Sequence, residues 1–234
     1  MKVLGIDTSS SVASVSVIDG DVMVGEFTIN HPKTHSQKLM PLIKMMMDSL
    51  EIQLSEMDLI AVSRGPGSFT GVRIGMSAAK AFSHSLEIPI VSVSTLKSLA
   101  YNDTREDRLI VPIMDARRSE TYTCIYEYKD GLLSEASEEM AISIEELAHI
   151  LKEKNRPVLF MGDGVKKFRD YLSENLENIE FASPDKIMQK ASTVAILGRE
   201  KYETSGEDNL FDVEPNYIRK SQAERDYDKK HGVE

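Results

Sequence analysis

The sequence predicts a two-lobed α/β protein in which mixed sheets are flanked by helices and the second lobe is reduced. Three observations carry this. The first hundred residues follow the order β-β-β-α-β-α-β, a glycine-rich turn joins a buried strand to a helix at residues 59–75, and strand patterning restarts after the polar run 102–108.

Residues 3–7, 12–19 and 22–29 are short β-branched runs, with Asp19-Gly20-Asp21 as a hairpin signal between the second and third. Three antiparallel strands open the chain. A helix is predicted over 36–50, a strand from Leu59, a long helix over 71–86 and a strand over 90–93. The second lobe then begins with strands over 109–114 and 121–128, joined by a charged turn at 116–119. A helix over 144–154, a strand over 157–161, the turn Gly162-Asp163-Gly164 and a helix over 165–173 follow. A final helix over about 186–202 is expected to pack back across the lobes, which divide at residues 1–104 and 105–234.

The junction Ser63-Arg64-Gly65-Pro66-Gly67-Ser68-Phe69-Thr70-Gly71-Val72-Arg73-Ile74-Gly75 is the most informative segment. Ser68 and Thr70 can cap orphan N–H groups at the helix start, which would leave amides pointing into the turn as in anion-binding loops. The Gly-Lys-Ser/Thr ending of a P-loop is missing, and no lysine is placed to reach a phosphate.

Composition narrows the class. With 41% hydrophobic and 28% charged residues in 234, the chain has the balance of a soluble globular protein. Residues 1–6 lack a basic region and a cleavage site, no segment has the length and apolarity to span a membrane, and a cytoplasmic location is expected. Cys124 is the only cysteine and sits among alternating apolar residues, the pattern of a buried structural thiol. A net charge of −10 opposes autonomous RNA binding, since grip on phosphates needs basic patches. Arg219, Lys220, Arg225, Lys229 and Lys230 are interleaved with Glu224, Asp226 and Asp228, as in a solvated polar tail.

Two helices are unusually apolar. Leu39, Met40, Leu42, Ile43, Met46, Met47 and Leu50 fill an arc of roughly 160°, wider than one packing stripe needs. In the second helix, Arg73, Ser77, Lys80 and His84 form the single narrow polar strip. Either the helix is sandwiched inside the lobe or its apolar surplus meets a partner. Gly71 and Gly75 at helical spacing would admit another helix, and methionines repack readily against different surfaces.

Together with Gly5-Ile6-Asp7-Thr8-Ser9-Ser10, the junction resembles the TsaB (YeaZ) family of the tRNA threonylcarbamoyladenosine pathway. The likeness is close over residues 1–125, and Asp115-Ala116-Arg117 and Pro215-Asn216-Tyr217-Ile218-Arg219 also fit; the remainder is looser. The Asp-Thr-Ser turn and strand order also resemble a lobe of the actin, Hsp70 and sugar-kinase superfamily, whose fold the family shares. The resemblance implies a non-catalytic subunit that docks on the catalytic subunit TsaD and acts with the ATPase TsaE. It further implies a homodimer through the same two helices and contact with tRNA only through the complex. The implied interface is Leu39, Met40, Ile43, Met46, Met47, Leu50, Gly71, Val72, Gly75, Met76, Ala79 and Phe82. No cofactor of its own is implied, and any ATP or ADP would sit in the assembled complex.

Possible site residues are few. TsaD carries a His-x-x-x-His metal motif where this chain has Thr95 and Leu99, neither of which replaces imidazole on a transition metal. His31 and His35 share that spacing, but Pro32 takes His31 out of helical geometry. Asp7 is either a magnesium-orienting carboxylate of kinase type or a turn residue satisfying its own backbone. Arg117, in the Asp115-Ala116-Arg117-Arg118 run, either faces a nucleotide or belongs to a charged hairpin turn. Asp7, Ser68 and Arg117 are therefore the candidate nucleotide contacts. A weak nucleotide hydrolase or kinase using Asp7 and the 65–68 turn, and a homodimeric interaction protein with other partners, are the rivals to the subunit reading.

Overall fold

The computed structural model describes residues 1–31 and 35–219. The polar tail from Lys220 onward and the side chain of His35, with residues 32–34, lie outside the described residues.

The first sheet has the order β3-β2-β1-β4-β5, from β1 (Lys2–Asp7), β2 (Val12–Asp19), β3 (Val22–Asn30), β4 (Leu59–Ser63) and β5 (Ile90–Val93). β1, β2 and β3 are antiparallel neighbours, and β4 and β5 extend the sheet in parallel from β1. This is the arrangement expected of an actin-like lobe. The strands β1 and β4 are buried on both faces, hence their unbroken apolar runs.

One face of this sheet carries α1 (Leu39–Leu50) and α2 (Phe69–Leu86); Leu4, Ile6, Ile60 and Val62 meet Leu42, Met46, Met76 and Ala79 in one core. The first predicted helix is thus shorter than 36–50, because a separate 3-10 turn occupies His35–Gln37. On the opposite face lies α6 (Ala191–Ser205), with Val194 and Ala195 against Val3, Ala61 and Val91. Close approach depends on two glycines. A Cβ on Gly5 would stand 2.2 Å from the Ala191 carbonyl, and one on Gly198 would stand 2.4 Å from the Ala61 Cβ.

The second sheet has the path β10-β7-β6-β11-β12, formed by β6 (Leu109–Asp115), β7 (Glu120–Thr123), β10 (Met140–Ser143), β11 (Val158–Met161) and β12 (Ile179–Phe181). β8 (Tyr126–Lys129) pairs with β6 and with β9 (Leu132–Glu135). The single strand predicted over 121–128 is therefore two strands. The break falls at Cys124-Ile125, where the Ile125 N–H turns to the Ser137 hydroxyl at 2.9 Å. Cys124 is fully buried there, and burial pushes its thiol up to about 11.

Helices α4 (Ile144–Lys154) and α5 (Val165–Asn175) cover one face of this sheet, with Leu147, Leu151, Phe168 and Leu172 in its core. The other face receives α3 (Thr95–Ala100), whose Leu96 and Leu99 pack on Ile110, Tyr126 and Leu159. The sequence reading missed α3, β9, β10 and β12, which are short; Ser94, which caps α3, and the Asp130-Gly131 hairpin turn before β9 are the local signals that mark two of them. The polar run after α3 is tied down: Asp103 accepts from Arg105 at 2.9 Å, and the Asn102 amide donates to the Lys186 and Met188 carbonyls. Among the described residues, no helix is long and apolar enough to cross a membrane.

Candidate functional site

Two turns meet where β1 and β4 end. Asp7 is fully buried, and its Oδ1 accepts the Ser9 N–H at 2.8 Å and the Ser9 hydroxyl at 2.7 Å. This is an aspartate satisfying the backbone of its own turn. The next residue binds the turn to α2, since Thr8 Oγ1 donates to the Gly71 carbonyl at 2.7 Å. The Ser9 carbonyl then accepts the N–H of Ser68 at 2.6 Å.

The glycines between β4 and α2 make this fit possible. A Cβ on Gly67 would stand 2.2 Å from the Ser9 carbonyl oxygen, one on Gly71 2.1 Å from that of Thr8, and one on Gly75 2.5 Å from Thr8 Oγ1. At Ser68 the turn expected to cradle an anion is packed against the chain itself. Ser68 caps α2 by accepting the Gly71 N–H, as its position predicts, but its own amide serves the Ser9 carbonyl. Gly71 and Gly75, expected to admit a partner helix, face Thr8.

Thr95 and Leu99, at the positions of the compared metal ligands, have packing roles. Thr95 Oγ1 lies 2.6 Å from Ser63 Oγ, its N–H donates to the Gly65 carbonyl at 3.0 Å, and Leu99 is fully buried. Thr95 fastens the β4 turn to α3, and Leu99 packs α3 on the second sheet.

In the second lobe, Asp115 ends β6 and accepts the Arg117 N–H at 2.9 Å and the Lys167 ammonium at 2.7 Å. Arg117, Arg118 and Ser119 have φ of 66°, 51° and 63°, so the Arg117 run is a left-handed hairpin turn. Its side chain is exposed on the hairpin, whereas Asp7 and Ser68 are joined through Ser9. Asp163 follows β11 and accepts the Asp115 N–H at 3.1 Å; burial, with the nearby Asp115 charge, raises its pKa.

A C-terminal segment over 213–219 spans these turns, a feature the sequence pass recognised only as a matching motif. Asn216 donates its N–H to the Arg64 carbonyl at 2.7 Å and its amide to Glu139 Oε2 at 2.7 Å. Tyr217 stacks on Phe69 with ring centroids 4.6 Å apart and accepts from Arg73 Nε at 2.7 Å. Arg219 bonds to Glu120 and to the Ala116 carbonyl. Glu139 also receives the Ser94 hydroxyl, so one carboxylate joins α3, the strap and the second lobe. Burial raises its pKa against the pull of Ser94 and Arg64.

The two-helix face divides sharply. Leu39, Ile43, Met46 and Met47 of α1, and Val72, Met76 and Ala79 of α2, are buried in the lobe's own core. Their apolar arc is consumed by the sheet, as the sandwiched-helix alternative has it. Left outward are Met40 and Met45, which are 51% and 56% exposed, with half-buried Leu50, Ile74, Ala78 and Phe82 and exposed Ala81.

The family model described as TsaD, tRNA N6-adenosine threonylcarbamoyltransferase, matches residues 27–227. A protein of Bacillus subtilis (strain 168), named tRNA threonylcarbamoyladenosine biosynthesis protein TsaB, is 35% identical over 96% of each chain. The TsaB of Buchnera aphidicola subsp. Schizaphis graminum is 32% identical over 78% of this chain and 88% of its own. The solved structure of YeaZ from Pseudomonas aeruginosa superposes with a TM-score of 0.78 at 25% identity, covering 92% of this chain and 99% of that one. A family match over most of the chain and a full-length relative agree with the Asp-Thr-Ser turn and the glycine junction: the chain belongs to the TsaB (YeaZ) family of tRNA threonylcarbamoyladenosine biosynthesis proteins.

Proposed function

We propose that this chain is a non-catalytic subunit of the tRNA threonylcarbamoyladenosine machinery, docking on TsaD through the outward face of α1 and α2 and acting with TsaE. The observation that carries the subunit reading is the filled turn. With the Ser9 carbonyl on the Ser68 amide and its glycines against Thr8 and Ser9, the helix-start amide that would meet a phosphate is spent on internal packing. This weighs against a nucleotide hydrolase or kinase built on Asp7.

Docking is supported by what remains exposed. Met40, Met45, Ala81 and the edges of Ile74, Ala78 and Phe82 offer apolar area on two adjacent helices, with methionines able to adapt to more than one surface. The same face would serve a second copy of the chain. A partner that binds one arrangement of TsaD shifts its population in proportion to the difference in affinity. The net charge of −10 leaves tRNA to the complex.

The test is calorimetric titration of TsaD with the parent chain and with the exposed-site variants Met40→Glu and Ala81→Glu. Tight binding by the parent and weakening of about tenfold or more in each variant supports the face. Equal affinity in all three refutes it.

A further inference from the structure

A second site lies at the C-terminal end of α2. There the helix end, the turn into β5, Tyr202 of α6 and the segment 207–211 enclose a groove of about 770 Å³. Its apolar lining comes from Ile88, Pro89, Ile90, Leu210 and Phe211, the last 80% exposed.

That ring is held in place. The Phe211 N–H donates to Asn209 Oδ1 at 2.9 Å, its carbonyl accepts from Lys80 at 3.4 Å, and the ring meets His84 edge-on with centroids 6.4 Å apart. A large exposed aromatic on an anchored backbone is presented for contact at reduced ordering cost. Three carboxylates line the same groove. Asp208 is committed to Lys201 and Ser92, whereas Glu87 and Glu207 are exposed and form no ion pair among the described residues. The groove thus carries surplus negative charge beside an aromatic face and an apolar lining. Phosphates are repelled by such a lining, and a cation on an aliphatic stem is matched by it.

We propose that this groove binds a basic segment of a partner polypeptide, with an arginine or lysine side chain against Phe211 and its charge between Glu87 and Glu207. Its defining residues lie outside the face assigned to TsaD, so the two readings can fail separately.

The experiment is an NMR titration of the 15N-labelled full chain with acetyl-Arg-Arg-Arg-amide, and in parallel with acetyl-Gln-Gln-Gln-amide and a short oligouridylate. Saturable shifts confined to residues 83–90 and 202–211, seen with the arginine peptide alone, are expected. The double variant Glu87→Lys/Glu207→Lys should weaken binding by roughly tenfold, and Phe211→Ala should weaken it measurably. Unchanged shifts elsewhere in each variant's spectrum check the fold; should the charge reversal disturb it, Phe211→Ala alone decides. Shifts spread over the whole acidic surface, affinity indifferent to the variants, or a stronger response to oligouridylate would overturn the proposal.

Discussion

The backbone N–H of Ser68 donates to the carbonyl of Ser9 across 2.6 Å, joining the turn after β4 to the turn after β1. An amide at a helix start, the group that elsewhere receives a phosphate, is satisfied here by the chain's own peptide. The glycine signature of the family segment therefore reports close packing of two turns.

Gly71→Ala should destabilise the isolated chain strongly. The added carbon would lie 2.1 Å from the Thr8 carbonyl oxygen, and that backbone is held by the Thr8–Gly71 hydrogen bond. A loss of about 3 kcal/mol in urea unfolding is expected, against less than about 0.5 kcal/mol for Met40→Ala on the exposed face. Gly75→Val should follow Gly71→Ala, since its side chain meets Thr8 as well.

Tyr217→Ala should release the strap. The ring stacks on Phe69, and its hydroxyl accepts from Arg73, so about 1 kcal/mol of stability should be lost. Hydrogen exchange should quicken most at Asn216, whose N–H reaches the Arg64 carbonyl. Uniform quickening over the whole lobe would show that the strap is not a separate unit.

Asp208→Asn should cost stability at neutral pH and little in acid. Burial alone would raise this carboxyl, but Lys201 and the two Ser92 donors hold it below the usual range. A folded pKa below the unfolded value stabilises above the unfolded pKa and loses that contribution as pH falls through the folded one. Urea unfolding at pH 7 should separate the variant from the parent by about 1–3 kcal/mol. The gap should narrow below roughly pH 4.

Glu139→Gln should show the opposite slope. Glu139 has a raised pKa because it is buried, so its contribution is greatest below the unfolded pKa and is lost as pH rises through the folded value. A neutral amide can still accept from Asn216 and donate to Ser94, and it has no such dependence. The variant should therefore gain on the parent between acid and neutral pH; a constant difference would exclude an ionised, buried Glu139.

Much of the fold was legible because its main signals are local. The predicted β5 and α4 coincide with Ile90–Val93 and Ile144–Lys154, where apolar period and flanking caps agree. The split at Cys124-Ile125 was not legible, since a hydroxyl twelve residues away takes the Ile125 N–H while the alternation continues. The same limit applies to the site. Gly71 and Gly75 signal close approach in any sequence, but only the fold shows that Thr8 approaches them. Helical periodicity likewise marks Met46 and Met47 as apolar without telling sheet from partner. The strap's Tyr217 and the clasp at Glu139 depend on contacts 144 and 77 residues apart in sequence, beyond any local pattern.

On the proposed function, tRNA modification depends on this chain without being catalysed by it. The most direct test is threonylcarbamoyl transfer to tRNA in mixtures of TsaD, TsaE and threonylcarbamoyl-adenylate, with this chain present, absent, or alone without TsaD. Transfer is expected only when TsaD and this chain are together, reduced by Met40→Glu in step with lost binding. Transfer by this chain alone, or transfer by TsaD unaltered when it is left out, would contradict the account.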